Sequence, residues 1–231
     1  MKPLYLIINM AAVIVPFLFS FHPKVQFFKK FSYFFKALLV VLFIFIPWDI
    51  LFTHLGVWEF NSNYVLGINF FNLPFEEVLF FICIPYACIF TYHILNKFFN
   101  LDRFLKAENI ISIALVLFLI ITALLNYNRL YTSVTFTALA LFILLLKYVL
   151  RVKWLHKFYF TYLILLIPFL IVNGLLTGTG IEDAVVKYDD NQNLGIRMLT
   201  IPVEDIFYGM LLIMLTLSIY EYLSKKNNTQ K

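Results

Sequence analysis

The stretch Leu66-Gly67-Ile68-Asn69-Phe70-Phe71-Asn72-Leu73-Pro74-Phe75-Glu76-Glu77-Val78-Leu79-Phe80 decides the fold, because the chain writes it twice. It returns as Leu194-Gly195-Ile196-Arg197-Met198-Leu199-Thr200-Ile201-Pro202-Val203-Glu204-Asp205-Ile206-Phe207, at a constant offset of 128 residues and without a gap. Each copy runs through proline and an acid pair into an apolar run. Proline is tolerated in the first turn of a helix, where its missing N–H is not needed, and acids there meet the positive end of the helix dipole. Each copy therefore reads as a connection feeding a helix. The duplicated frame reaches upstream. Phe60-Asn61 falls on Tyr188-Asp189 at the same offset, and Ile46-Pro47-Trp48 meets Ile167-Pro168-Phe169 once a seven-residue gap is allowed.

What surrounds the two copies is almost entirely apolar. The 231 residues are 62% hydrophobic and only 13% charged, where a soluble domain is about half apolar and about a quarter charged. A chain of this composition is built for a lipid solvent. Spans of about 20 residues are needed to cross a hydrocarbon core about 30 Å thick, and seven can be drawn, at 3–21, 34–53, 73–96, 108–126, 130–150, 158–178 and 199–223. The first apolar run, from Pro3 to Phe21, has no small-residue cleavage site and is expected to stay as a span. The expected fold is an all-α integral membrane protein, one membrane domain over 1–231. It would be built from repeats at about 1–100 and 127–225 joined by a linker helix at about 108–126. Four spans separate equivalent helices, so the copies insert with the same orientation. Such a parallel 3+1+3 repeat places its site at the junction between halves.

The net charge of +5 is a topology signal. One set of connections and the C-terminal tail holds Lys24, Lys29, Lys30, Lys36, Lys97, Arg103, Lys106, Lys147, Arg151, Lys153, Lys157, Lys225, Lys226 and Lys231. The other side holds only Lys2, Arg129, Lys187 and Arg197. The positive-inside rule then predicts a multi-pass protein of the cell membrane with its N-terminus outside and its C-terminus in the cytoplasm. This distribution gives no reason to propose a nucleic-acid partner.

A carboxylate inside a bilayer is costly, so intramembrane acids are candidates for function. Asp49 lies a turn inside the outer end of the second span. Glu76 and Glu77 open the third, Glu204 and Asp205 open the seventh, and Asn173 sits at similar depth in the sixth. At a rise of 1.5 Å per residue, all six fall within roughly 10 Å of one plane. Acids after a helix-start proline are also ordinary helix-start chemistry, but that does not account for Asp49 at the same depth. The remaining candidates read as structure. Phenylalanine is expected to serve lipid and packing contacts, Trp48 and Trp58 to anchor the interface, and Cys83 and Cys88 to pack within a helix. His22, His54, His93 and His156 form no i, i+4 pair, so no metal is expected.

At the duplicated Pro-x-Glu motif the chain resembles a known family. Pro74-Phe75-Glu76-Glu77 with Phe80-Phe81, Pro202-Val203-Glu204-Asp205, Pro47-Trp48-Asp49 and Val172-Asn173-Gly174 are similar to the lycopene cyclase domain family. These are small membrane-embedded carotenoid cyclases, found as heterodimers or as fused halves. This chain looks like the fused form, although the second half has no Trp-Asp after Pro168. The resemblance implies a redox-neutral isomerisation of lycopene or another acyclic carotenoid, most simply to β-ionone rings as in γ-carotene or β-carotene. A proton added at the terminal double bond makes a carbocation, the ring closes, and another proton leaves. Such chemistry needs an acid, a base and a dry aromatic cavity, and no cofactor is expected. On this reading Glu76 and Glu204 form the main acid/base pair. Glu77, Asp205 and Asp49 relay or tune protons, while Trp48, Asn173 and Phe80 line the substrate pocket. Parallel three-helix repeats also describe small-solute transporters, but the spans carry few polar residues at mid-depth to line a hydrophilic path.

Overall fold

In lipid every backbone N–H and C=O must be satisfied within the protein, so long apolar runs become helices. The computed structural model describes residues 2–226, and seven α-helices account for most of them. They are α1 Leu4–Phe19, α2 Phe31–His54, α3 Phe75–Phe98, α4 Leu105–Leu125, α5 Leu130–Leu144, α6 Leu155–Leu176 and α7 Val203–Lys226. Short 3₁₀ turns at Phe27–Lys30 and Leu101–Phe104 lead into α2 and α4, and a π-turn at Leu145–Val149 extends α5. Six of these helical segments are long and apolar enough to cross a membrane. The exception is α1, whose 16 residues reach about 24 Å at 1.5 Å per residue. Large apolar side chains such as Leu39, Phe43, Ile110 and Leu124 stand two-thirds or more exposed on the outer faces. A soluble protein does not carry so large an apolar surface, and the chain is a multi-pass membrane protein. The tail lysine Lys231, counted above for topology, lies outside the described residues.

The loops at the N-terminal ends of α3 and α7 contain three two-stranded antiparallel ribbons, which the span boundaries drawn above run through. β2 (Asn69–Phe70) pairs with β3 (Leu73–Pro74), and β5 (Arg197–Met198) pairs with β6 (Ile201–Pro202). The spans drawn from 73 and 199 therefore begin as helix only at Phe75 and Val203. Hydropathy cannot separate the buried strand residues Leu73-Pro74 and Ile201-Pro202 from the apolar helix that follows. The two hairpins have the same local geometry. Phe71 and Leu199 both turn through left-handed backbone, at φ 55° and 57°, a conformation uncommon for such residues. Gly67 and Gly195 also lie at positive φ, where the missing Cβ removes the cost. Each helix start is tied back alike: Phe75 N–H donates to Ile68 O at 2.8 Å, and Val203 N–H to Ile196 O at 3.0 Å.

The third ribbon joins the halves. β1 (Trp58–Phe60) pairs with β4 (Val186–Tyr188) in the register Trp58↔Tyr188, Glu59↔Lys187, Phe60↔Val186. At the 128-residue offset Trp58 corresponds to Val186 and Phe60 to Tyr188, so exchanging the copies reproduces the same pairing. That is the signature of a local two-fold axis through Glu59 and Lys187. Helix packing obeys the same exchange. α1 packs on α3 as α5 packs on α7, while α2 lies along α7 and α6 along α3. Each copy thus lends its middle helix to the other copy's third, and both acid pairs arrive at the junction under the β1–β4 ribbon.

Candidate active site

All five acids singled out from the sequence are buried, none more than 8% exposed, yet they have two kinds of partner. Glu76 Oε1 accepts from the Leu66 N–H at 2.7 Å, and Glu204 Oε1 accepts from the Leu194 N–H at 2.8 Å and the Thr132 hydroxyl at 2.6 Å. Asn9 donates to the Glu76 backbone carbonyl at 2.8 Å. These two glutamates pin the hairpin loops to the helix starts. Neither lines the cavity described below, which argues against them as the central acid/base pair.

Their neighbours along the helix point elsewhere. Glu77 Oε2 accepts from the Tyr5 hydroxyl at 2.5 Å. Asp205 Oδ1 accepts from Tyr131 at 2.6 Å, and its Oδ2 accepts from Asn173 at 2.7 Å and Tyr188 at 3.0 Å. Tyr5 and Tyr131 are each the second residue of α1 and α5, after a leucine. The halves therefore build matching tyrosine–carboxyl pairs. Asp49 is different: Trp58 Nε1 donates to its Oδ1 at 2.7 Å, while its Oδ2 is buried without a partner among the described residues.

Asp49, Glu77 and Asp205 line one cavity of about 240 Å³ between the halves. Phe80 and Asn173 line it too; Trp48 does not. Trp48 stacks on Phe45 at 5.6 Å and meets Tyr208 edge-on at 5.6 Å, so it supports the wall from behind. Trp58 is likewise no interfacial anchor. It is 5% exposed, held by β1 against Tyr131 and Tyr188 at ring distances of 5.2 and 5.9 Å. Burial and the neighbouring Asp205 carboxyl push the Tyr188 phenol well above its usual pKa, so it remains a donor at neutral pH.

The sequence pattern does not single out the aromatic donors Tyr5, Trp58, Tyr131 and Tyr188 as site residues. The matching Leu4-Tyr5 and Leu130-Tyr131 pairs were the one sequence signal that could have found two of them. Among the described residues no lysine or arginine lines the cavity. Its polar equipment is three carboxyls, neutral donors and aromatic faces, which suits proton transfer beside a developing carbocation. Among the described residues no three His, Cys, Asp or Glu side chains gather as a metal-ligand set.

The chain is similar to known proteins. A family model described as lycopene cyclase matches residues 2–95 and 128–223, one stretch in each half. A bifunctional lycopene cyclase/phytoene synthase of Arthroderma gypseum is 38% identical over 61 residues, covering 26% of this chain and 10% of that protein. No solved structure matches.

Proposed function

The chain belongs to the lycopene cyclase family, and from that premise we propose that it closes rings on the acyclic ends of lycopene or a related carotenoid by acid/base chemistry alone. The observation that carries this reading is the cavity walled by Asp49, Glu77 and Asp205 and otherwise mostly by apolar and aromatic side chains. Roles follow from hydrogen-bond capacity. Asp205 accepts three hydrogen bonds across its two oxygens, which hold it in place as a fixed negative partner for the cation. Asp49 keeps one buried oxygen free, the place for a proton facing the substrate.

Asp49 gives that proton to the terminal double bond, leaving a tertiary carbocation beside the faces of Trp58, Tyr131 and Tyr208. The neighbouring double bond attacks the cation and closes the ring, which moves the positive charge onto a ring carbon. Glu77, held at one oxygen by Tyr5, takes the proton from the adjacent carbon and leaves a ring double bond. Glu77 gives that proton up to water and Asp49 takes another from water before the next turnover, so the site is restored and the cycle is redox-neutral. Loss of the proton from the carbon shared with the chain gives the β-ring, our preferred product. Glu76 and Glu204 hold the loops that roof the site. The repeats at about 1–100 and 127–225, with α4 as linker, are its two halves. The lysine and arginine distribution supports an outward N-terminus in the cell membrane, with the site toward the outer side.

Expression in bacteria that accumulate lycopene tests the reading directly. Monocyclic or bicyclic carotenoid in pigment extracts is expected, and unchanged lycopene despite a folded, inserted protein would overturn it. A solute transporter, the alternative class, finds little support in a cavity whose deeper wall is Ala12, Ile84, Ala87, Leu165 and Leu212.

A further inference from the structure

The cavity does not end at the carboxyls. Along α3 its wall is Glu77, Phe80, Ile84, Ala87, Cys88 and Thr91, a spacing of threes and fours that keeps one helix face turned to it. From Glu77 to Thr91 the helix rises about 21 Å at 1.5 Å per residue. α6 borders the cavity over a matching reach, from Tyr162 to Leu176, and α1 closes it with Ala12 and Pro16. The site is therefore the head of an apolar groove running parallel to the helices. Ala12, Pro16, Ile84, Ala87 and Thr91 are only partly buried, so the groove is open along its flank, where the protein meets lipid.

The local two-fold supplies an internal comparison. If both halves offered the same groove, a second one would run along α7 between α5 and α2. It is filled. At the 128-residue offset Gly209 corresponds to Phe81, Ala87 to Leu215 and Thr91 to Ile219. Phe81 is 1% exposed and lies 6.0 Å from the Phe45 ring, while Phe45 and Trp48 both press on Tyr208, at 5.4 and 5.6 Å. On the open side a Cβ at Gly209 would sit 3.3 Å from the Tyr162 hydroxyl and 3.8 Å from Phe169, so glycine keeps that wall thin. At the head of the groove Asp49 Oδ2 and the Tyr208 hydroxyl are buried without partners among the described residues.

We infer that the duplicated fold holds one substrate groove. The extended conjugated chain of an apolar polyene lies along α1, α3 and α6, with its reacting end group between Asp49, Glu77 and Asp205. This rests on the cyclase reading and adds to it where the substrate body lies, which residues gauge its length, and that one end reacts per binding event. Ala87 and Ala12 are the specificity-determining positions, because a larger side chain at either would occupy the path of the chain while leaving the carboxyls untouched. A two-ring product requires release and re-entry in the opposite sense, so the one-ring carotenoid must appear before the two-ring one.

The experiment uses purified full-length protein in liposomes with two substrates. One is lycopene, and the other is a truncated polyene bearing the same end group on a chain that stops short of Ala87. The variants are Ala87→Phe and Ala12→Phe, with Leu163→Phe, an exposed position on the outer face of α6, as control. With lycopene the groove variants should lose about 10- to 100-fold in rate, in the range by which misfit in an apolar pocket discriminates substrates, while the short substrate should stay within about two-fold of wild type. Leu163→Phe should leave both unchanged. If Ala87→Phe does not fold, Ala12→Phe alone decides. Folded groove variants that cyclise lycopene at the wild-type rate, or lose both substrates equally, would overturn the groove. Wild-type protein that forms no ring from either substrate would instead overturn the cyclase reading beneath it.

Discussion

Glu76 and Glu77 are adjacent on one helix, and the structure gives them opposite fates on conversion to glutamine. In Glu76→Gln the side-chain oxygen can still accept the Leu66 N–H now made at 2.7 Å. The new amide N–H₂, however, replaces an oxygen buried without a partner among the described residues. Burying unmatched donors should cost about 1–3 kcal/mol. On the scale of soluble domains of this length that is about 2–4 °C of melting temperature per kcal/mol. Rate per folded molecule should stay near wild type, because Glu76 does not line the cavity. In Glu77→Gln the Tyr5 hydroxyl keeps an acceptor, so stability should change little, but the amide cannot take a proton. The expected rate loss is about 10²–10⁴-fold, which is roughly 2.7–5.5 kcal/mol of barrier. The assay pairs pigment ratios in lycopene-accumulating cells with protein level and melting temperature in detergent. A folded Glu76→Gln protein that forms no rings would return the chemistry to Glu76. A Glu77→Gln protein with wild-type turnover would remove Glu77 from the acid/base pair.

Asp49→Asn should abolish ring formation while keeping an acceptor for Trp58, and retained activity would displace Asp49 as the proton donor. Tyr131→Phe leaves Asp205 Oδ1 without its donor and should destabilise the protein by about 1.5–3 kcal/mol, measured as melting temperature in detergent; an unchanged value would refute the pairing. In deuterated water each ring formed should gain one deuterium by mass spectrometry, and no label would rule out a proton drawn from an exchangeable carboxyl. Reporter fusions near Ser62 should be active as periplasmic markers and fusions after Lys231 as cytoplasmic ones; the reverse would invert the topology.

Composition and the repeat carried the sequence reading a long way. A chain this apolar has one solvent available to it, and lipid leaves the backbone little choice but helices. The 128-residue offset exposed the duplication, and the shared depth of Asp49, Glu76, Glu77, Asn173, Glu204 and Asp205 pointed to one end of the bundle as the candidate site. What could not be read was which oxygen faces what. Residues 76 and 77 lie about 100° apart around the helix axis, and only the position of the Leu66 loop on one side and Tyr5 on the other makes one an anchor and its neighbour a cavity wall. Trp58 reads as an interfacial tryptophan until the β1–β4 ribbon, formed between residues far apart in sequence, brings it under the roof to hold Asp49. The one-sided groove is equally hidden. A gapless repeat does not say how many grooves are open, and it takes the packing of Phe45, Trp48 and Phe81 into one of the two equivalent spaces to leave a single path open. Patterns local to a helix follow from residue type and spacing. The partner across a helix interface depends on how whole segments dock, and no local pattern encodes it.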